Sequence, residues 1–135
     1  LWLRWWLFSC CRGGVDAVCV KGISQRQSLT WLNLGWCEGV DAAGLQSIWQ
    51  LQSITSLNLS SCPGVDAAGL QSISQLQSLT SLNLSYCKEG VDAAGLQSIS
   101  QLPSLTSLNV GCCPGLVAAG PQSIWPLQSL TSATH

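Results

Sequence analysis

Residues Leu57–Cys87 read LNLSSCPGVDAAGLQSISQLQSLTSLNLSYC and carry two hydrophobic periods in succession. Around Leu82, Asn83 and Leu84, apolar and polar residues alternate, which is typical of a half-buried strand. From Val65 onward the apolar residues recur at intervals of three and four, which places them on one face of a helix. The stretch therefore predicts a short strand, a helix of about three turns and a second strand.

The same unit recurs with a period of about 25 residues along nearly the whole chain. Its copies begin near Leu3, Leu29, Ile54, Leu79 and Leu105. One strand and one helix of this size bury too little apolar surface to offset the entropy lost on ordering, so the copies must stack. We therefore expect an α/β array of about five copies, forming one domain over residues 1–135. Because the chain begins with Leu and its apolar edge has no cap, we expect a fragment of a longer array.

Five of the eight cysteines occupy one position of the unit, at spacings of 26, 25, 25 and 26 residues. They are Cys11, Cys37, Cys62, Cys87 and Cys113. This regularity predicts inward-facing thiols that act as small hydrophobes, rather than a secreted disulfide framework. We therefore expect reduced thiols and a cytoplasmic location. Cys10 and Cys112 are expected at the surface, either as reactive thiols or as replacements without a role.

Composition and motifs argue against several classes of function. Only 8% of the residues are charged and the net charge is −1, so there is no basic stripe to bind nucleic acid. The one histidine is His135, the last residue, and no C-x-x-C motif occurs, so we predict no enzyme activity, no metal site and no cofactor. The apolar segment Leu1–Phe8 is too short to span a membrane, and the repeat register predicts a first strand there.

An aspartate and a glycine recur at fixed positions around the start of the predicted helix. Four aspartates stand there, and they predict helix caps rather than a cation site: Asp16, Asp41, Asp66 and Asp92. Three glycines follow within the helices, where we expect them to let neighbouring copies approach closely: Gly44, Gly69 and Gly95.

The pattern L-x-x-L-x-L-x-x-C, followed by x-G-V-D-x-x-G-L-x-x-I-x-x-L, resembles the leucine-rich repeat, and in particular its cysteine-containing subtype, over roughly residues 3 to 130. The chain departs from that subtype at Leu51, Leu76 and Leu102, which replace a second cysteine. The resemblance implies a horseshoe-shaped solenoid with a parallel β-sheet on the concave face and helices on the convex face. It also implies a protein-binding role, including that of the substrate-recognition part of a ubiquitin-ligase adaptor.

Strand alternation predicts which side chains would face a partner. The first row contains Trp5, Trp31, Ser56, Ser81 and Ser107, and the second contains Leu7, Asn33, Asn58, Asn83 and Asn109. The third row contains Ser9, Gly35, Ser60, Ser85 and Gly111. Beyond them lies a turn row that contains Cys10, Trp36, Ser61, Tyr86 and Cys112. The candidate partner-binding residues are Trp5, Trp31, Asn33, Trp36, Asn58, Asn83, Tyr86 and Asn109. The three tryptophans form the strongest candidate hot spot, because exposed Trp supplies a large contact area. Alternatively, these tryptophans decorate the edge of the array, and the asparagines bond one another along the sheet.

Two functions from different classes remain open. The first is a module that binds a protein partner of unknown identity through the concave face. The second is a structural spacer or recently duplicated array, which the nearly unchanged Ser-Asn-Ser pattern of the copies favours. Unpaired strands at both ends would also permit edge-to-edge self-association.

Overall fold

The computed structural model describes residues 5–7, 17–88, 90–119 and 132–134. Within these residues one parallel sheet of six short strands runs in chain order. The strands are β1 (Trp5–Leu7), β2 (Trp31–Asn33), β3 (Ser56–Asn58), β4 (Ser81–Asn83), β5 (Ser107–Asn109) and β6 (Ser132–Thr134). Each strand pairs with the equivalent strand of the next copy, as Leu57 does with Leu82. The predicted parallel sheet is therefore confirmed.

The helices are shorter than the sequence predicts. They are α1 (Ala17–Ile23), α2 (Ala42–Ile48), α3 (Ala67–Ile73), α4 (Ala93–Ile99) and α5 (Pro114–Ala119). Val65 and Leu76 belong to the apolar period and are fully buried, but they lie in the turns that flank α3. The helix begins only after Asp66, whose carboxylate accepts the N–H of Gly69 at 2.8 Å. Its buried face therefore extends beyond the hydrogen-bonded helix at both ends.

The aspartates cap the helices as predicted. The carboxylates of Asp41 and Asp92 accept the N–H of Gly44 and Gly95, each at 2.8 Å, as Asp66 does in α3. Each capping residue has an extended backbone, which is usual at this position. The first aspartate of the series, Asp16, lies outside the described residues.

The core lies between the sheet and the helices, and consecutive copies interlock closely within it. A Cβ on Gly69 would lie 2.5 Å from Leu45 Cδ1, and one on Gly95 would lie 2.5 Å from Leu70 Cδ1. The prediction that these glycines admit the neighbouring copy is confirmed, because an alanine would force a leucine side chain to move.

The fifth copy departs from the others. Helix α5 begins at Pro114, directly after Cys113, whereas α3 begins five residues after Cys62, at Ala67. Val117 stands where the other copies have aspartate, so no carboxylate is available to start a helix there. Proline suits the first helical position because its missing N–H would have no partner within the helix. After this copy the sheet continues to β6, where Ala133 pairs with Leu108.

Candidate functional site

From β2 to β5, the face of the sheet that points away from the helices carries the first two predicted rows. In β2 to β5 the middle residue of each strand is buried and the two flanking residues are half-buried. Trp31 and Asn33 take these flanking positions in β2. Trp5 pairs with Trp31 in the sheet, while the surroundings of the Trp5 side chain lie outside the described residues.

The asparagine row has a structural role that the sequence analysis did not predict. Each Asn Oδ1 accepts the N–H of the residue two positions further on, at 2.9 Å for Asn33 and Asn58 and at 3.0 Å for Asn83 and Asn109. These bonds lie within single copies and close the turn after each strand, whereas the alternative in the sequence analysis was a bond from one asparagine to the next. The oxygens are therefore used by the fold, and the amide N–H groups remain as the donors that a partner could meet.

The turn row follows immediately and has an unusual backbone. Its members have left-handed conformations, with φ of 65° at Trp36, 56° at Ser61, 61° at Tyr86 and 58° at Cys112. For residues other than glycine this conformation costs roughly 1–2 kcal/mol each. The backbone N–H groups of the first three donate to the next copy, to the carbonyl oxygens of Ser60, Ser85 and Gly111 at 2.8 to 2.9 Å. The hydrogen-bonded ladder of the sheet therefore extends into this row.

A groove of about 400 Å³ runs along the turn row, and we call it the turn-row groove. It is lined by Trp36, Ser61, Tyr86 and Cys112 together with the residues two positions further on, Glu38, Pro63, Lys88 and Pro114. Trp36 is 64% exposed and Tyr86 is 59% exposed, which is unusually high for side chains of this size. The groove therefore combines two accessible aromatic rings with one acidic and one basic side chain.

Tyr86 and Cys112 interact across adjacent copies within the groove. A hydrogen bond with the Cys112 side chain raises the pKa of the Tyr86 hydroxyl above its ordinary value of 10.0. Cys112 is exposed, as the sequence predicts, and it is a free thiol. Its neighbour in the chain, Cys113, is buried.

The buried cysteines confirm the predicted series at the four described positions, Cys37, Cys62, Cys87 and Cys113, none of which forms a disulfide. Three of these thiols donate to a carbonyl oxygen of the preceding copy: Cys62 to Leu34 at 3.0 Å, Cys87 to Leu59 at 3.3 Å, and Cys113 to Leu84 at 3.1 Å. Burial raises the pKa of Cys62 to about 12 and that of Cys87 to about 11. These thiols stay protonated at neutral pH and hold adjacent copies together. Cys11 lies outside the described residues.

The aromatic residues that line the groove differ from the predicted hot spot of three tryptophans. Trp36 lines the groove with Tyr86, whereas Trp31 lies on the strand row and does not line it. Sequence reasoning missed Glu38, Pro63, Lys88 and Pro114. The signal that could have found them is their shared position in the repeat, two residues after the turn row. It also missed Trp49, which is 49% exposed at the end of α2 and borders a second open groove on the helix side.

The part of the chain that the structure describes contains neither a candidate metal site nor a candidate membrane-spanning helix. No group of three or more His, Cys, Asp or Glu side chains there could hold a metal ion. None of the helices described is long and apolar enough to cross a membrane.

The comparisons with known proteins agree with this geometry. The sequence profile of the Leucine Rich repeat family matches residues 25–48, 50–74 and 75–100. A comparison with curated proteins found none that matches the chain. Among solved structures, an internalin (inlF) from Listeria monocytogenes is similar, with a TM-score of 0.65, 22% sequence identity and 85% of this chain covered. The chain spans only 31% of the length of that internalin.

Two further structures share the fold at low identity. The actin-binding site 2 of leiomodin-1 has a TM-score of 0.63 and 14% identity, with 87% of this chain and 75% of that chain covered. The Mex67:Mtr2 subunits from Chaetomium have a TM-score of 0.61 and 15% sequence identity. The match covers 84% of this chain and 87% of that chain. Because the profile covers more than half of the chain and the copies form one ladder of strands backed by helices, the chain belongs to the leucine-rich repeat family.

Proposed function

We propose that the chain is a protein-interaction module that binds a protein partner through the sheet face and the turn-row groove. The observation that carries the proposal is the pair of exposed aromatic side chains, Trp36 and Tyr86, around one groove. Exposed Trp and Tyr rings dominate many protein interfaces because they supply a large contact area and have few rotatable bonds. The left-handed backbone holds both residues at the end of the sheet, so their backbone needs little ordering on binding.

Variation among the copies supports the same surface. The segment AAGLQSI is identical in α2, α3 and α4, and Ser-Leu-Asn is identical in β3, β4 and β5. The turn row instead differs among the four copies that line the groove, which carry Trp36, Ser61, Tyr86 and Cys112. A surface fitted to one partner needs different side chains along its length, and in this chain the copies differ most at the groove.

The neighbouring candidate residues extend the proposed surface. Asn33, Asn58, Asn83 and Asn109 would offer amide N–H groups to the partner, and Trp31 and Trp5 would continue it toward the start of the chain. The similar structures suit this role, since one is an actin-binding site of leiomodin-1 and another consists of Mex67:Mtr2 subunits.

Capture from a lysate of the native cells, using the whole chain as bait, tests the proposal. The variant carrying Trp36→Ser and Tyr86→Ser removes both rings and keeps a residue, serine, that the same row already accepts at Ser61. We expect this variant to lose a partner that the unaltered chain retains. The matched control is Trp49→Ser, which removes an exposed ring from the helix side, where the equivalent residues are Ser74 and Ser100.

The alternative function is a structural spacer, and one observation favours it. The asparagine oxygens serve the turns, and the serines of the first row repeat without change in β3 to β5. If the groove variant and Trp49→Ser retain the same proteins as the unaltered chain, the spacer is the better account. Ubiquitin-ligase subunits retained by both the unaltered chain and the groove variant, together with a partner that only the variant loses, would assign the finer role of a substrate adaptor.

A further inference from the structure

The spacing of side chains along the turn-row groove follows from the sheet. The turn-row N–H groups of Trp36, Ser61 and Tyr86 each bond the next copy at 2.8 to 2.9 Å, so the row keeps the separation of neighbouring strands. That separation is about 4.8 Å, so Trp36 and Tyr86, two copies apart, are separated by about 9.6 Å along the row. The groove is lined by residues from four successive copies and is therefore about 14 Å long.

This interval matches one backbone conformation better than the others. A polyproline II segment has three residues per turn and rises about 3.1 Å per residue, so side chains on one face recur every 9.3 Å or so. Side chains on one face of a β-strand recur about every 6.7 Å. Successive turns of an α-helix are about 5.4 Å apart. Only the polyproline II period places consecutive same-face residues against both aromatic rings, and the groove would hold about five such residues.

The lining of the groove suits proline rings. Between the two aromatic residues lies Ser61, whose small side chain leaves a recess bordered by Pro63. Grooves lined by aromatic side chains bind proline-rich segments, because these segments are already extended and lose little entropy on binding.

The charged residues of the groove repeat the same interval. Glu38 and Lys88 stand two positions beyond Trp36 and Tyr86, so they are also two copies apart and separated by about 9.6 Å along the row. A complementary segment would place a basic residue against Glu38 and an acidic residue against Lys88. In a polyproline II segment these two residues would be three positions apart, on the face next to the prolines.

We propose that the turn-row groove binds an extended proline-containing segment of a partner protein, with prolines three positions apart and one basic and one acidic residue at the same interval. This inference rests on the proposed function and names the class of partner. In the proposed complex, Trp36 and Tyr86 contact the prolines. Glu38 pairs with the basic residue of the segment and Lys88 with its acidic residue, which sets the direction in which the segment lies.

A labelled peptide, Pro-Arg-Ala-Pro-Asp-Pro with blocked ends, tests the inference by fluorescence polarisation against the whole chain. We expect saturable binding, and at least tenfold weaker binding of a peptide in which glycine replaces every proline. Trp36→Ser and Tyr86→Ser should each raise Kd at least tenfold, whereas Trp49→Ser should leave it within twofold. Circular dichroism verifies that each variant is folded.

A charge exchange tests the ordering of the segment. Lys88→Glu should weaken binding of the peptide severalfold, and a peptide with Arg in place of Asp should recover affinity for that variant. Equal binding of the glycine peptide, or equal loss in Trp49→Ser, would overturn the inference. If the proline peptide fails to bind while the groove variant still loses a protein in the capture experiment, the inference is wrong and the proposed function stands. If both experiments fail, the proposed function is wrong as well.

Discussion

At the scale of single residues, the turn row combines a strained backbone with an exposed side chain. Four residues other than glycine have φ between 56° and 65°, where a side chain crowds its own backbone. The fold maintains this conformation at Trp36, Ser61 and Tyr86 because each of these turns is held from two sides. The asparagine before it accepts one N–H group, and the next copy accepts another. The strain is thus tied to the place where the aromatic residues are displayed.

Ser61→Val tests this strain. A β-branched side chain is a strong outlier at positive φ, so we expect the free energy of unfolding to fall by about 1–3 kcal/mol. Ser61→Asn should be neutral or slightly stabilising, since Asn tolerates this conformation. Ser56→Val is the matched control, because Ser56 lies in a strand, where valine is favoured. Urea unfolding compares the three, and equal losses at the two sites would contradict the assignment.

The buried thiols make stability depend on pH in one direction. The pKa of Cys62 rises from 9.0 to about 12 on folding, mainly because burial removes water from the thiolate. The unfolded chain therefore loses this proton at a lower pH than the folded chain does. The stabilisation is complete below about pH 9 and is lost as the pH rises from about 9 to about 12.

We therefore expect the melting temperature to fall over this alkaline range. The reason is that the folded protein keeps the Cys62 proton at a pH where the unfolded chain has lost it. Cys62→Ala should be less stable at neutral pH, because it leaves a small cavity and removes the hydrogen bond from the thiol to the Leu34 carbonyl. Its melting temperature should fall less steeply above pH 9. Parallel curves for the two proteins would show that the Cys62 thiol does not contribute to the pH dependence.

At the scale of elements, each of α2, α3 and α4 is a seven-residue segment that cannot persist alone. Its start is set by an aspartate cap and its buried face by leucine and isoleucine. The fifth copy shows what the cap does, since without the aspartate the helix begins at Pro114 instead. The capping residue therefore decides where the helix begins.

Asp66→Ala should lower the free energy of unfolding by about 0.5–2 kcal/mol, because the N–H of Gly69 loses its acceptor. Asp66→Ser keeps an oxygen in reach of that N–H and should retain most of the stability. Thermal unfolding of both variants measures the difference. An unchanged midpoint in Asp66→Ala would refute the cap.

At the scale of the whole molecule, stability resides in the contacts between copies. Neighbouring copies share sheet hydrogen bonds, thiol bonds and close glycine contacts. In such an array the total stability is approximately the sum of terms for single copies and for their interfaces. A change at one interface should therefore weaken the two copies that meet there more than distant ones.

Gly64→Ala tests an interface. A Cβ there would lie 2.4 Å from the Val40 carbonyl oxygen, and since this is backbone, the two copies must move apart. We expect a loss of about 1–3 kcal/mol, as for other overpacked sites. Gly22→Ala is the control, because a Cβ there meets nothing within 4 Å, and helix propensity should raise stability by roughly 0.5–1 kcal/mol. Hydrogen exchange should show lost protection in the turns around Val40 and Gly64 first, and a uniform loss would contradict the interface account.

The resemblance to the leucine-rich repeat implied the parallel sheet. The sequence by itself determined the period, the buried cysteines and the aspartate caps. Each of these depends on a local pattern, and repetition shows the same pattern several times. The helix bounds were less predictable, since Val65 and Leu76 are buried without being helical. Burial shows which side chains face the core, whereas helix ends depend on which backbone groups are bonded.

Only the tertiary structure decided which exposed residues meet. Trp36, Tyr86, Glu38 and Lys88 come together because stacking places residues about 25 or 50 positions apart side by side, at the spacing of strands. Trp31 lies closer to Trp36 in the chain but on a different row, and the asparagine oxygens are directed to the turns by the left-handed backbone that follows. The groove is a product of stacking, so no single copy contains it.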